Sequence, residues 1–138
     1  MHSARGWLAF GLGSAALLWS FVLLLAAFVF PAYSGEGCQA PPNGATACGA
    51  LPSETLFAVN GWWVVELLVG VIAVTALAFW ALHLYCARGA QRALGAAAFF
   101  IGLLAIFSFL TGFSIGLYVV PVVLLLIVSA AVTPEPAK

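Results

Sequence analysis

Charge is what this chain of 138 residues has least of: four basic and four acidic side chains, 6% of the total. Soluble domains devote about a quarter of their residues to Asp, Glu, Lys and Arg, because a core needs polar cover. Here 65% of the residues are apolar, so no such cover can be assembled and lipid must be the outer solvent for most of the chain. The two signs balance, which leaves no electrostatic footprint for nucleic acid and excludes it as a partner. Histidine and cysteine are scarce too, at two and three residues. No zinc spacing, nucleophile and base constellation, phosphate loop or pair of carboxylates can be found. The expectation is a protein that is not an enzyme, with no catalytic residue, cofactor or metal.

Long apolar runs are what the sequence does have. Trp7 to Phe30 is almost uninterrupted, about 24 residues, enough at about 1.5 Å each to cross a core of roughly 30 Å. Arg5 in front and the small residues behind Pro31 imitate a secretory signal, but the apolar centre exceeds the roughly 7 to 15 residues of such signals. A retained first helix is expected. Residues 31–60 then turn polar and rich in Gly and Pro, with Pro41-Pro42-Asn43-Gly44 at their centre, and read as a loop in water. Within it, Ser53-Glu54-Thr55 before Leu56 to Val59 suggests a short amphipathic turn.

A second span is expected over 62–86, with Trp62 and Trp63 at one end and Trp80 and Tyr85 near the other, as aromatic rings favour headgroup levels. Residues 87–93 form the return loop. The following stretch of about 40 apolar residues is too long for one crossing and suits two, over 94–111 and 115–132, before a tail at 133–138. The break is placed at Thr111-Gly112-Phe113-Ser114, where glycine can end one helix and Ser114 can cap the next. Pro121 should kink the last helix.

The fold class this predicts is all-α: a four-transmembrane-helix bundle forming one integral membrane domain. Arg5, Arg88, Arg92 and Lys138 all fall on one side of it. The positive-inside rule makes that side the cytoplasm, with both termini inside and residues 31–60 outside a cell membrane crossed several times.

Few residues invite a functional reading. Cys38 and Cys48 stand in the outer loop, where disulfides persist, and are expected to be bonded as a staple. A redox pair would want Cys-x-x-Cys spacing, which is missing. Cys86 and His83 read as residues of the inner interface. Glu66 is the only carboxylate inside a predicted span, about 6 Å below Trp62 by helical rise. Two readings stay open for it: a structural hydrogen bond, or the binding of an ion, a proton or a partner. Gly95, Ala98, Gly102, Ala105 and Ser108 recur at steps of three and four, a helix-packing seam. Gly13, Ala16, Ser20 and Ala27 form a looser one, and Gly112 with Gly116 makes a Gly-x-x-x-Gly pair.

Four spans with an outer-loop disulfide are shared with claudin-like proteins, but the tryptophan those carry before the cysteines is missing between Trp19 and Trp62. Small multidrug transporters use a glutamate in the first helix, which has none here. Thr55-Leu56-Phe57-Ala58-Val59-Asn60-Gly61, and Phe113-Ser114-Ile115-Gly116-Leu117 with Pro121, resemble uncharacterised four-helix membrane proteins of high-GC bacteria. That resemblance covers the topology and implies no activity. The partners expected are the lipid bilayer and other membrane subunits or a second copy, in the manner of an accessory subunit. The alternative is a transporter or channel component using Glu66 for a proton or cation.

Overall fold

In lipid a backbone amide has no water to turn to, so apolar runs of this length satisfy their N–H and C=O groups by coiling into helices. The computed structural model describes residues 4–33, 36–39, 47–50 and 53–134. Among them are α1 (Ala4–Val29), the short α2 (Leu56–Asn60), α3 (Trp62–Arg88), α4 (Gln91–Leu110) and α5 (Leu117–Val132). Three of these, α1, α3 and α4, are long and apolar enough to cross a membrane, which makes this a multi-pass membrane protein. Their outward faces agree: Phe109 is 87% exposed and Leu110 77%, a surface only lipid or another protein tolerates.

The expected count of four spans is corrected by α5. Its 16 residues give about 24 Å of helix, short of a core of roughly 30 Å. The cause lies just before it. The sequence predicts a tight glycine break, yet Gly112–Gly116 coils as a π-helix, with the Gly116 N–H donating to the Thr111 carbonyl at 3.0 Å. Residues that would have lengthened the last helix are used in the connection. Pro121 sits on the fifth position of α5, where it offers no N–H to the carbonyl of Leu117, the residue at which π coiling gives way to α.

The all-helical frame holds, and a second correction concerns residues 31–60 alone. Two short antiparallel ladders lie there: β1 (Pro31–Tyr33) with β4 (Glu54–Thr55), and β2 (Glu36–Gln39) with β3 (Ala47–Ala50). Strands of two to four residues are too short to show an alternating pattern in sequence. Backbone pairing between these strands orders the segment. Cys38 stands opposite Cys48 in the β2–β3 register, but the Cys38 side chain lies outside the described residues, and the expected bond with it. Thr55 caps α2, its hydroxyl accepting from the Ala58 N–H at 3.2 Å, and Phe57 of α2 packs on Phe28 and Trp62 with ring centroids 4.8 and 5.4 Å away.

The long helices run antiparallel to their neighbours. Ser129 Oγ donates to the Ala9 carbonyl at 2.8 Å and Trp19 Nε1 to the Tyr118 carbonyl at 3.2 Å, so the end of α5 lies beside the start of α1. Gly89, in the left-handed conformation at φ 65°, closes α3 by donating its N–H to the Tyr85 carbonyl and turns the chain into α4. The core is built by Val64, Leu68, Val71 and Ala78 of α3, Ile101 and Leu104 of α4, and Val119, Val122 and Leu126 of α5, closed by Ala16 and Ala27 of α1.

Polar residues inside this core are all hydroxyls that bond back to the helices. Ser20 Oγ donates to the Ala16 carbonyl at 3.0 Å and Thr75 Oγ1 to that of Val71 at 2.7 Å, with the two oxygens 3.5 Å apart across the α1–α3 seam. Among the described residues no buried polar side-chain atom lacks a partner, as a dry interior requires.

Candidate functional site

Two stripes of small residues run along these helices, and the structure uses them differently. On α1 the buried positions are Ala9, Gly13, Ala16, Ser20 and Ala27, which include the whole stripe expected from sequence. A side chain at Gly13 would meet the ring of Phe79 on α3, so that stripe is filled from within the chain.

The α4 stripe is not. Buried on α4 are Ala97, Ile101, Leu104 and Ser108, whereas Gly95 and Ala98 are exposed and Gly102 and Ala105 half-buried. At 3.6 residues per turn the two sets point roughly 110° apart. A Cβ added at Gly95 or at Gly102 would meet nothing within 4 Å. Of the expected seam, Ser108 is buried, its hydroxyl donating to the Gly116 carbonyl at 2.7 Å, and half-buried Ala105 packs against the edge of the core.

Toward its end the open stripe runs into a cleft of about 430 Å³ between α4 and α5, which Ala105 and Phe109 share with Gly112, Leu117, Val120 and Leu124. Stripe and cleft together make an apolar groove on the outer surface. Gly112 lies in its floor with open space above it. Gly116, the other half of the pair noted in sequence, is buried instead. A Cβ there would run into the Ser108 carbonyl and come within 2.7 and 2.8 Å of the Thr111 carbonyl carbon and hydroxyl, so only glycine lets the π coil fold back on α4.

Glu66 is exposed on the outward side of α3, on the face that continues with Gly70, Ala73 and Leu77. It lines neither this groove nor the larger cleft at the other end of the bundle. Cys48 is exposed in β3, remote from the α4 stripe in sequence, and Cys86 is an exposed free thiol at the end of α3. The structure thus brings Gly95, Ala98, Gly102, Ala105 and Gly112 onto one surface and places Glu66 and the cysteines elsewhere.

Sequence reasoning missed the larger cleft. About 530 Å³ in volume, it lies where the start of α1 meets the ends of α3 and α5 and is lined by Trp7, Phe10, Phe79, Leu82, His83 and Thr133 among others. Its residues come from segments more than a hundred positions apart in the chain, and only the clustering of Trp7, His83 and Cys86 near one interface hinted at it. Among the described residues no group of three or more His, Cys, Asp or Glu is placed to hold a metal ion. No family model, no curated protein and no solved structure matches this chain.

Proposed function

We propose that this protein is a non-catalytic accessory subunit that docks against a transmembrane helix of a larger membrane assembly, or of a second copy, along the outward groove of α4. The observation that carries this reading is the open space over Gly95 and Gly102 on a helix whose core-facing stripe lies elsewhere. Small residues let helix backbones approach closely, and in lipid such approach is a main source of association because tails are as apolar as the side chains they leave. Glycine in mid-helix costs about 1 kcal/mol against alanine in propensity, a cost that close packing offsets only where a neighbour is present.

Orientation is part of the same proposal. Arg5 at the start of α1, Arg88 at the end of α3 and Arg92 at the start of α4 lie at one end of the bundle. The positive-inside rule assigns that end to the cytoplasm and the β-ladders to the outside. Transport through this chain by Glu66 draws no comparable support, because the carboxylate lines neither cleft.

Extraction at native expression in mild detergent, followed by native-gel analysis, tests the reading. A species larger than the single chain is expected; a strictly monomeric protein with no co-purifying partner overturns it.

A further inference from the structure

Glu66 is the one carboxylate within the described helices, and it is exposed. At 3.6 residues per turn it lies roughly 160° around α3 from the buried Val64, Leu68, Val71, Thr75 and Ala78, directly away from the bundle. Trp62, whose ring meets Phe57 edge to face, marks the headgroup level at that end, so Glu66 stands about 6 Å to the lipid side of it. Carboxylates at membrane depth face a bundle interior, a water-filled cavity or an opposite charge. This chain supplies none of the three: Glu66 lines neither cleft, and among the described residues it has no hydrogen-bond or ion-pair partner. The strip around it suits a helix. Trp62, Val69, Gly70, Ala73, Leu77 and Trp80 are all exposed within roughly 60° of Glu66 on α3. A Cβ at Gly70 would meet nothing within 4 Å, and Ala73 continues the small surface below it. Small residues beside a carboxylate let a second backbone come close enough for its own side chain to reach the charge.

We infer that this face docks a transmembrane helix of a different protein, carrying a lysine or arginine about one turn inside the headgroup level nearest Trp62, where it pairs with Glu66. Charge decides between occupants. Arg88 stands at the far end of α3, about 33 Å from Glu66 by helical rise, and Arg5 and Arg92 belong to that same end of the bundle. A second copy in the same orientation therefore brings no cation to this depth, and two such faces in contact would set carboxylate against carboxylate. The α4 groove carries no charge and admits either kind of neighbour; the α3 face selects for one.

Reconstitution with model helices tests the inference. The full chain, dye-labelled at its C-terminus, is titrated in phosphatidylcholine vesicles with a labelled Leu-Ala transmembrane peptide, and association is read by energy transfer. One lysine a turn inside the tryptophan anchor at each end of the peptide presents a cation in either orientation. This peptide is expected to bind at least tenfold more tightly than the same peptide with glutamines in those places. Glu66→Gln should bring the two within twofold, and Glu66→Lys should reverse the preference toward a peptide carrying glutamates. Gly70→Leu should weaken the lysine peptide at least fivefold, whereas Gly95→Leu with Gly102→Leu should leave it unchanged, which keeps this test separate from that of the α4 groove. Equal binding of the lysine and glutamine peptides, as for a carboxylate that only reaches the headgroups, overturns the inference. So does a preference undiminished in Glu66→Gln, or binding lost with the α4 leucines and kept in Gly70→Leu. The two peptides compared on the unaltered chain decide it should a variant fail to fold.

Discussion

The small-residue stripes of α1 and α4 share a spacing and have opposite surroundings. On α1, Gly13, Ala16 and Ser20 are buried against α3 and α5; on α4, Gly95 and Gly102 face open space. The difference teaches that such a stripe marks a surface where backbones can approach closely and says nothing about which chain the approaching backbone belongs to. In a soluble protein polarity would settle the matter, since the outward face would be charged. In lipid both faces are apolar, and only the packing tells them apart.

Substitutions that fill each glycine sharpen this contrast. The largest effect is expected at Gly116→Leu, where the added atoms meet the backbone of Ser108 and Thr111 and cannot be accommodated by a rotamer change. A loss of about 3 kcal/mol or more is predicted, enough to unfold the α4–α5 hairpin, and visible as a lowered unfolding midpoint by tryptophan fluorescence in detergent. Gly13→Leu should cost about 1 to 3 kcal/mol in the same assay, less because the obstacle is the ring of Phe79, which can turn aside. An unchanged midpoint for Gly13→Leu would break the comparison from the α1 side.

Ser129→Ala tests the polar half of the inner seam. It removes the bond to the Ala9 carbonyl, which joins the end of α5 to the start of α1. Interhelical hydrogen bonds in membranes average about 0.6 kcal/mol, so a small drop of that size is expected. Least damaging of all is Gly95→Leu with Gly102→Leu: fold stability should not fall, and should rise by about 1 kcal/mol or less per position, because leucine is the better helix former and nothing stands in its way.

Much of the helical frame was legible in the sequence, for physical reasons. Trp62 and Arg88 are the first and last residues of α3, because an aromatic belt and a basic side chain each mark a level of the bilayer. The inward stripe on α1 was legible as small residues at steps of three and four. What escaped were features that depend on fine backbone geometry or on distant segments. The π coil at Gly112–Gly116 differs from a glycine break only in hydrogen-bond spacing, and with it the length of α5 was misjudged. The β-ladders were too short to leave a pattern. Glu66 was legible as an unusual carboxylate, but which way it points depends on the rotation of α3 against its neighbours. The direction of the α4 stripe depends likewise on which side of α4 meets α3 and α5, and an evenly apolar helix carries little record of that.

The claim that matters most is that the outward groove of α4 is a contact surface. The most direct test compares the unaltered protein with the Gly95→Leu, Gly102→Leu variant, measuring on the same membranes the fraction of chain found in the larger species on native gels and the unfolding midpoint of the purified chain. The account predicts that the assembled fraction falls at least tenfold while the midpoint does not fall. An assembled fraction unaffected by two leucines in the groove would contradict it.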